Sequence, residues 1–267
     1  MLGGVVMHEN IIAVIIGIVE GLTEFLPISS TGHMILVGSL LGFEGEKASV
    51  FEVFIQLGAI LSVLIYYRKK FIAMFKSNSA KNKLSLMHVM VGILPVMAVG
   101  YLFHKPIKEF LFSPFTVIIG LILGALLMLI AEKKSAKVTV SDVDKMSIKQ
   151  AFFVGLFQIL SLWPGFSRSG STISGGLFLG LSRTVAAEFS FIIAVPLMLV
   201  ACTYDLLKVW SKLTIADFQM FTIGFVVAFA VAYLSIVWFL KFLNKSTLAA
   251  FAYYRIILAF ISYYYFF

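Results

Sequence analysis

The chain has 267 residues, 61% hydrophobic and 13% charged, with a formal charge of +8 and a mean hydropathy of +1.02. Soluble domains are roughly 45–50% apolar and about 25% charged, so this composition excludes one and indicates an integral membrane protein. The charge does not mark a nucleic-acid binder, because the cations sit between apolar spans as they do in cytoplasmic loops.

A bilayer-spanning helix needs about 20 mostly apolar residues. Region 10–42 is long enough but is broken at Pro27, and it reads as a re-entrant pair of half-helices. Spans are predicted at 50–67, 86–103 and 115–131. A second interrupted region, 150–181, precedes spans at 184–207, 217–240 and 247–267. The expected fold is therefore an all-α integral membrane protein, with six transmembrane helices and two re-entrant helical hairpins in one polytopic domain over 1–267. Cys202 lies in an apolar run and supports neither a disulfide framework nor a metal cluster. The N-terminus has no basic segment followed by a small-residue cleavage site, so no cleaved signal peptide is expected.

Cations set the orientation. Arg68, Lys69, Lys70, Lys76, Lys81, Lys83, Lys133, Lys134, Lys137, Lys145, Lys149, Arg183, Lys241 and Lys245 fall on one side. The other side has Lys47, Lys105, Lys108, Lys208 and Lys212. The positive-inside rule then places both termini outside the cytoplasm. The first hairpin enters from outside and the second from the cytoplasm. The halves, about 1–132 and 145–267, form an inverted-topology repeat of the kind that brings broken helices together near the midplane.

The two breaks carry the polar chemistry. Glu20 and Glu24 are spaced i, i+4 and project from one helical face. Pro27 ends that half-helix. Ser29, Ser30 and Thr31 suit the start of the next, where free N–H groups favour an anion. His33 follows Ser30 by three residues, on the same face. The second break offers Arg168, suited to bidentate phosphate binding, among Ser167, Ser169, Gly170, Ser171 and Thr172. Ser29, Ser30, Ser167, Arg168, Ser169, Gly170 and Thr172 are the expected phosphate-binding set. An ionised side chain at the bilayer centre costs about 2.5–3.5 kcal/mol, so these groups must pair, neutralise or sit in water. Broken backbone at that depth is tolerated only in protein or beside a wet cavity.

Two stretches then become specific. Glu20-Gly-Leu-Thr-Glu24-Phe-Leu-Pro-Ile-Ser-Ser30-Thr-Gly-His33 and Pro164-Gly-Phe-Ser-Arg168-Ser-Gly-Ser-Thr172 resemble the two signatures of the bacterial undecaprenyl-diphosphate phosphatases, the bacitracin-resistance family. The resemblance extends across essentially the whole chain. It implies removal of the terminal phosphate of undecaprenyl diphosphate, recycling the lipid carrier of cell-wall synthesis at a site open to the outer face of the bacterial inner membrane. It also implies Ser30 as nucleophile or its close partner, Glu24 and His33 assisting, Arg168 on phosphate, and a divalent cation (Mg or Ca) near Glu20 and Glu24. Partners would be the prenyl diphosphate and membrane lipids, with a homodimer among the candidate states.

A secondary transporter or lipid flippase is the rival reading, since broken helices in inverted repeats around an anion site describe both classes. The Ser–His–carboxylate grouping beside an arginine favours the enzyme. Covalent attack by Ser30 and direct attack by water stand as alternative mechanisms.

Overall fold

A computed structural model describes residues 2–76, 83–209 and 217–267. Lys81 and Lys212, counted among the cations above, lie outside them. Helix α1 (Leu2–Thr23) stops before Pro27, and the chain restarts as α2 (Ser30–Leu40). Then come α3 (Glu46–Tyr66), the basic α4 (Arg68–Lys76), α5 (Leu86–Leu102) and α6 (His104–Leu111). Helix α7 (Pro114–Lys134) opens on a Ser113 cap with proline in its first turn, where the missing N–H costs nothing. The second broken element is α8 (Ile148–Gln158), a 3₁₀ turn over Ile159–Leu162, and α9 (Arg168–Phe178). Helices α10 (Arg183–Val209), α11 (Asp217–Leu243) and α12 (Ala249–Phe266) complete the chain.

Helices α3, α7, α10 and α11 are long and apolar enough to cross a membrane, and α5 with α6, bent by 80°, makes a fifth candidate. Helix α12 occupies the position of the sixth expected span and is diluted by Arg255 and by tyrosines 253, 254 and 263–265. Each begins within about a helical turn of its predicted start, and α5 with α6 runs eight residues past the predicted end at 103.

The two broken elements differ in one respect. The helix before the first break, α1, runs 22 residues, whereas the one before the second, α8, has 11. Helix α1 begins ahead of residue 10, where the interrupted region was expected to start. Glu9 reaches Lys47 at 2.9 Å, and Lys47 reaches Asp217 at 3.0 Å, an ion-pair chain joining the starts of α1, α3 and α11. Polar side chains at the rim of a bundle do not oppose helix propagation.

The two breaks match in detail. Helices α2 and α9 have the same length, with N-caps Ser29 and Ser167 in the left-handed region at φ 69° and 73°. Each cap oxygen accepts from the N–H of a glycine, Gly32 or Gly170. Each cap carbonyl accepts from a side chain four residues on, His33 Nδ1 at 2.7 Å and Ser171 Oγ at 2.8 Å. Each helix ends in leucine followed by a left-handed glycine, Gly42 or Gly180.

Helix packing repeats as well. Helix α1 lies against α11, α8 against α5, α3 against α10 and α7 against α12. Glycines permit the approach: a Cβ at Gly17 would meet the Gly224 carbonyl, and one at Gly155 the Gly92 carbonyl. Small residues bring helix backbones together where lipid supplies no hydrophobic drive. At Gly21 a Cβ would lie 2.8 Å from both Ala228 O and Ala232 N. Gly21→Val is therefore expected to pry α1 from α11 and lower stability by about 1–3 kcal/mol. Thermal unfolding in detergent checks this, and an unchanged midpoint would contradict the close approach.

Candidate functional site

The tips of the two breaks meet. Ser169 Oγ, just inside α9, donates to Leu26 O of the first turn at 2.9 Å. Neither turn holds its shape alone, because a non-glycine residue at positive φ costs of order 1–3 kcal/mol unless its surroundings impose it. Arg255 on α12 supplies much of that imposition. It is fully buried, and its guanidinium donates to Gly120 O at 3.1 Å, Gly165 O at 2.8 Å and Phe166 O at 2.9 Å, with Pro27 O at 3.5 Å. One side chain thus ties both turns to α7. The expectation that buried charges must find partners holds here, and the partners are backbone carbonyls.

At the junction lies a cavity of about 180 Å³. Ser30 Oγ donates to Glu24 Oε2 at 2.7 Å, while Arg168 Nη2 donates to Glu24 Oε1 at 3.1 Å. Arg168 Nη1 donates to the carbonyl of Ser190 on α10 at 3.0 Å, and the guanidinium stands 5.8 Å from the Phe25 ring centre. Glu24 therefore links a hydroxyl from one broken helix with a cation from the other. Sequence distance hides this pairing.

Of the predicted residues, Glu24, Ser29, Ser30, Ser167 and Arg168 line the cavity. Ser169 is spent on Leu26, Gly170 on the α9 cap, and Thr172 Oγ1 donates to Ser190 Oγ at 2.7 Å. Glu20 lies one turn before Glu24, 0% exposed, with neither carboxylate oxygen hydrogen-bonded to protein. His33 turns away from Ser30. Its Nδ1 must carry the proton, since it faces the Ser29 carbonyl, so in the neutral ring Nε2 accepts from Tyr254 Oη at 2.8 Å. His33 and Tyr254 border a separate groove of about 600 Å³, walled by apolar residues such as Leu22, Ile28 and Trp238. The first turn divides the two spaces: Ser29 and Ser30 face one, Leu26 and Ile28 the other.

The sequence reading omitted Ser190, Gln56 and Tyr254, and gave Arg255 no place at the turns. Only Arg255 carried a signal, as a lone cation in an apolar span. Among the described residues no group of three or more His, Cys, Asp or Glu is arranged to hold a metal. Of Glu20 and Glu24, the first has free oxygens and the second is already engaged by Ser30 and Arg168.

These features define a helical membrane protein whose buried serine–glutamate–arginine centre is assembled from two broken helices. Residues 13–261 match the family described as bacitracin resistance protein BacA, and the chain belongs to that family. Among its relatives, "Undecaprenyl-diphosphatase 1" of Bacillus thuringiensis is 52% identical over 256 residues, covering 95% of this chain and 97% of the relative. The proteins of the same name from Bacillus cereus and Bacillus anthracis are each 51% identical over the same lengths.

Proposed function

We propose that this protein removes the terminal phosphate of undecaprenyl diphosphate, releasing undecaprenyl phosphate and inorganic phosphate, at a site open to the outer side of the cell membrane. The observation that carries this reading is Glu24, bonded at once to the Ser30 hydroxyl and the Arg168 guanidinium where the two breaks meet. The names of its close relatives support the substrate. The matched caps, glycines and helix pairs of the two halves support an inverted repeat of six spans and two re-entrant pairs. The cation asymmetry supports both termini outside, and with them an outward-facing site.

In the mechanism, the diphosphate enters the cavity while the prenyl tail stays among the apolar helices. Arg168 shifts part of its charge from Glu24 to the phosphate oxygens. Phosphoryl transfer asks chiefly for such positioning and charge stabilisation. Glu24 accepts the Ser30 proton, and Oγ attacks the terminal phosphorus. The bond to the bridging oxygen breaks, undecaprenyl phosphate leaves with that electron pair, and water then frees phosphate from Ser30. His33 holds the strained Ser29 turn through its carbonyl and is itself held by Tyr254. It acts as a positioning residue, and Glu24 as the base. Glu20, with Glu24 one turn on, would be the residues to hold a divalent cation, which would supply further charge neutralisation of the diphosphate.

Two results discriminate. Purified protein in detergent is expected to release phosphate from undecaprenyl diphosphate, measured with and without chelator. Failure to do so, with carriage of a prenyl phosphate across vesicles, would favour the transporter. Mass spectrometry is expected to trap phosphate on Ser30, and substantial turnover by Ser30→Ala would leave only direct attack by water. Glu24→Gln removes the base and is expected to slow turnover by about 10²–10⁴-fold. Tyr254→Phe removes only the outer bond to His33, so a loss of about tenfold or less is expected, on the order of one hydrogen bond. Equal losses in the two variants would make His33 the base instead.

A further inference from the structure

One polar wall of the cavity comes from neither signature. Gln56, on α3, is half-buried and lines the cavity with Ser30 and Arg168. Its Oε1 accepts from Sγ of Cys202 at 3.4 Å. Cys202 is buried on α10, one turn beyond Met198, which also faces the cavity. An amide nitrogen accepts no hydrogen bond and a thiol donates one weakly, so the contact sets which end of the carboxamide points where. With the oxygen turned to Cys202, the Nε2 donors are the end left for the cavity.

The strongest donors there are already engaged. Arg168 is divided between Glu24 and Ser190 and the Ser30 hydroxyl serves Glu24, while the Ser29 and Ser167 oxygens accept from the N–H groups of Gly32 and Gly170. A diphosphate brings several anionic oxygens and needs donors that cost nothing to release. We propose that Gln56 contacts the substrate, its Nε2 N–H groups donating to a non-bridging phosphate oxygen, and that Cys202 is a positioning residue fixing the amide in that orientation. The proposal rests on the reading of this cavity as the diphosphate site.

The test is steady-state hydrolysis of undecaprenyl diphosphate by the full chain in detergent, with thermal unfolding measured alongside. Gln56→Ala loses the donors, and Gln56→Glu keeps the shape but sets an anion against the phosphate. Both are expected to raise KM by about tenfold or more while kcat changes little. Cys202→Ala frees the amide to turn. If half the molecules then present oxygen, KM rises about twofold. Cys202→Ser keeps a donor and is expected to return KM to the parent value. Parent KM in both Gln56 variants, with Arg168→Ala inactive, overturns this proposal alone. A fully active Arg168→Ala would instead remove the cavity reading beneath it. Should the Gln56 variants fail to fold, the Cys202 pair decides, and an unchanged KM in Cys202→Ala counts against it.

Discussion

Arg168→Ala is expected to lower kcat/KM at least about a thousandfold, the scale on which a transition-state arginine acts in phosphoryl transfer. Two losses combine. The cavity lining contains no second cation, so charge developing on the transferred phosphoryl group goes unmet. The Glu24 carboxylate also loses its ion pair beside an incoming anion and repels it. Arg168→Lys keeps the charge but is expected to recover little. A single ammonium cannot reach Glu24 and the Ser190 carbonyl from opposite sides as the planar fork does. Phosphate release measured beside a thermal unfolding curve separates lost chemistry from lost fold. Near-normal turnover in a folded Arg168→Ala protein would overturn the site.

The second large effect lies at a residue outside the lining of that cavity. Arg255→Met fills a similar volume but takes the donor from the carbonyls of Gly120, Gly165 and Phe166. Three buried carbonyls left unsatisfied, at about 1–3 kcal/mol each, would cost about 3–9 kcal/mol together. Removing the desolvated charge returns part of that sum, so a net loss of about 3 kcal/mol is expected, a large share of a typical 5–15 kcal/mol total stability. Activity is expected to fall with it, because both turns lose the same anchor. The space around the guanidinium allows a related check. A Cβ at Gly124 would strike Arg255 Nη2 and the Phe166 carbonyl, so Gly124→Ala is expected to disturb the same centre without touching the charge. An Arg255→Met protein with unchanged unfolding midpoint and activity would refute the anchoring role.

Much of this molecule is readable from the chain alone, for reasons that differ by element. The spans follow from runs of apolar residues, and α3, α7, α10 and α11 appear close to where composition places them. The breaks follow from Pro27 and from Ser/Thr/Gly-rich turns, whose cap chemistry is local. The full length of α1 does not follow, because its polar turn near Glu9 is rescued by Lys47 from another helix.

The sequence by itself determined the membrane class, the positions of the two breaks and the identity of the side chains that make up the centre. Those properties depend on hydropathy and on backbone chemistry within a few residues. Tertiary structure alone decided that Glu24 joins Ser30 to Arg168, and that His33 faces Tyr254 instead of the cavity. It alone seated Arg255 among carbonyls from three separate segments and brought Gln56 to the cavity wall. A side chain's rotation about a helix axis is settled by what packs against it, and here the packing partners come from helices far away in the chain.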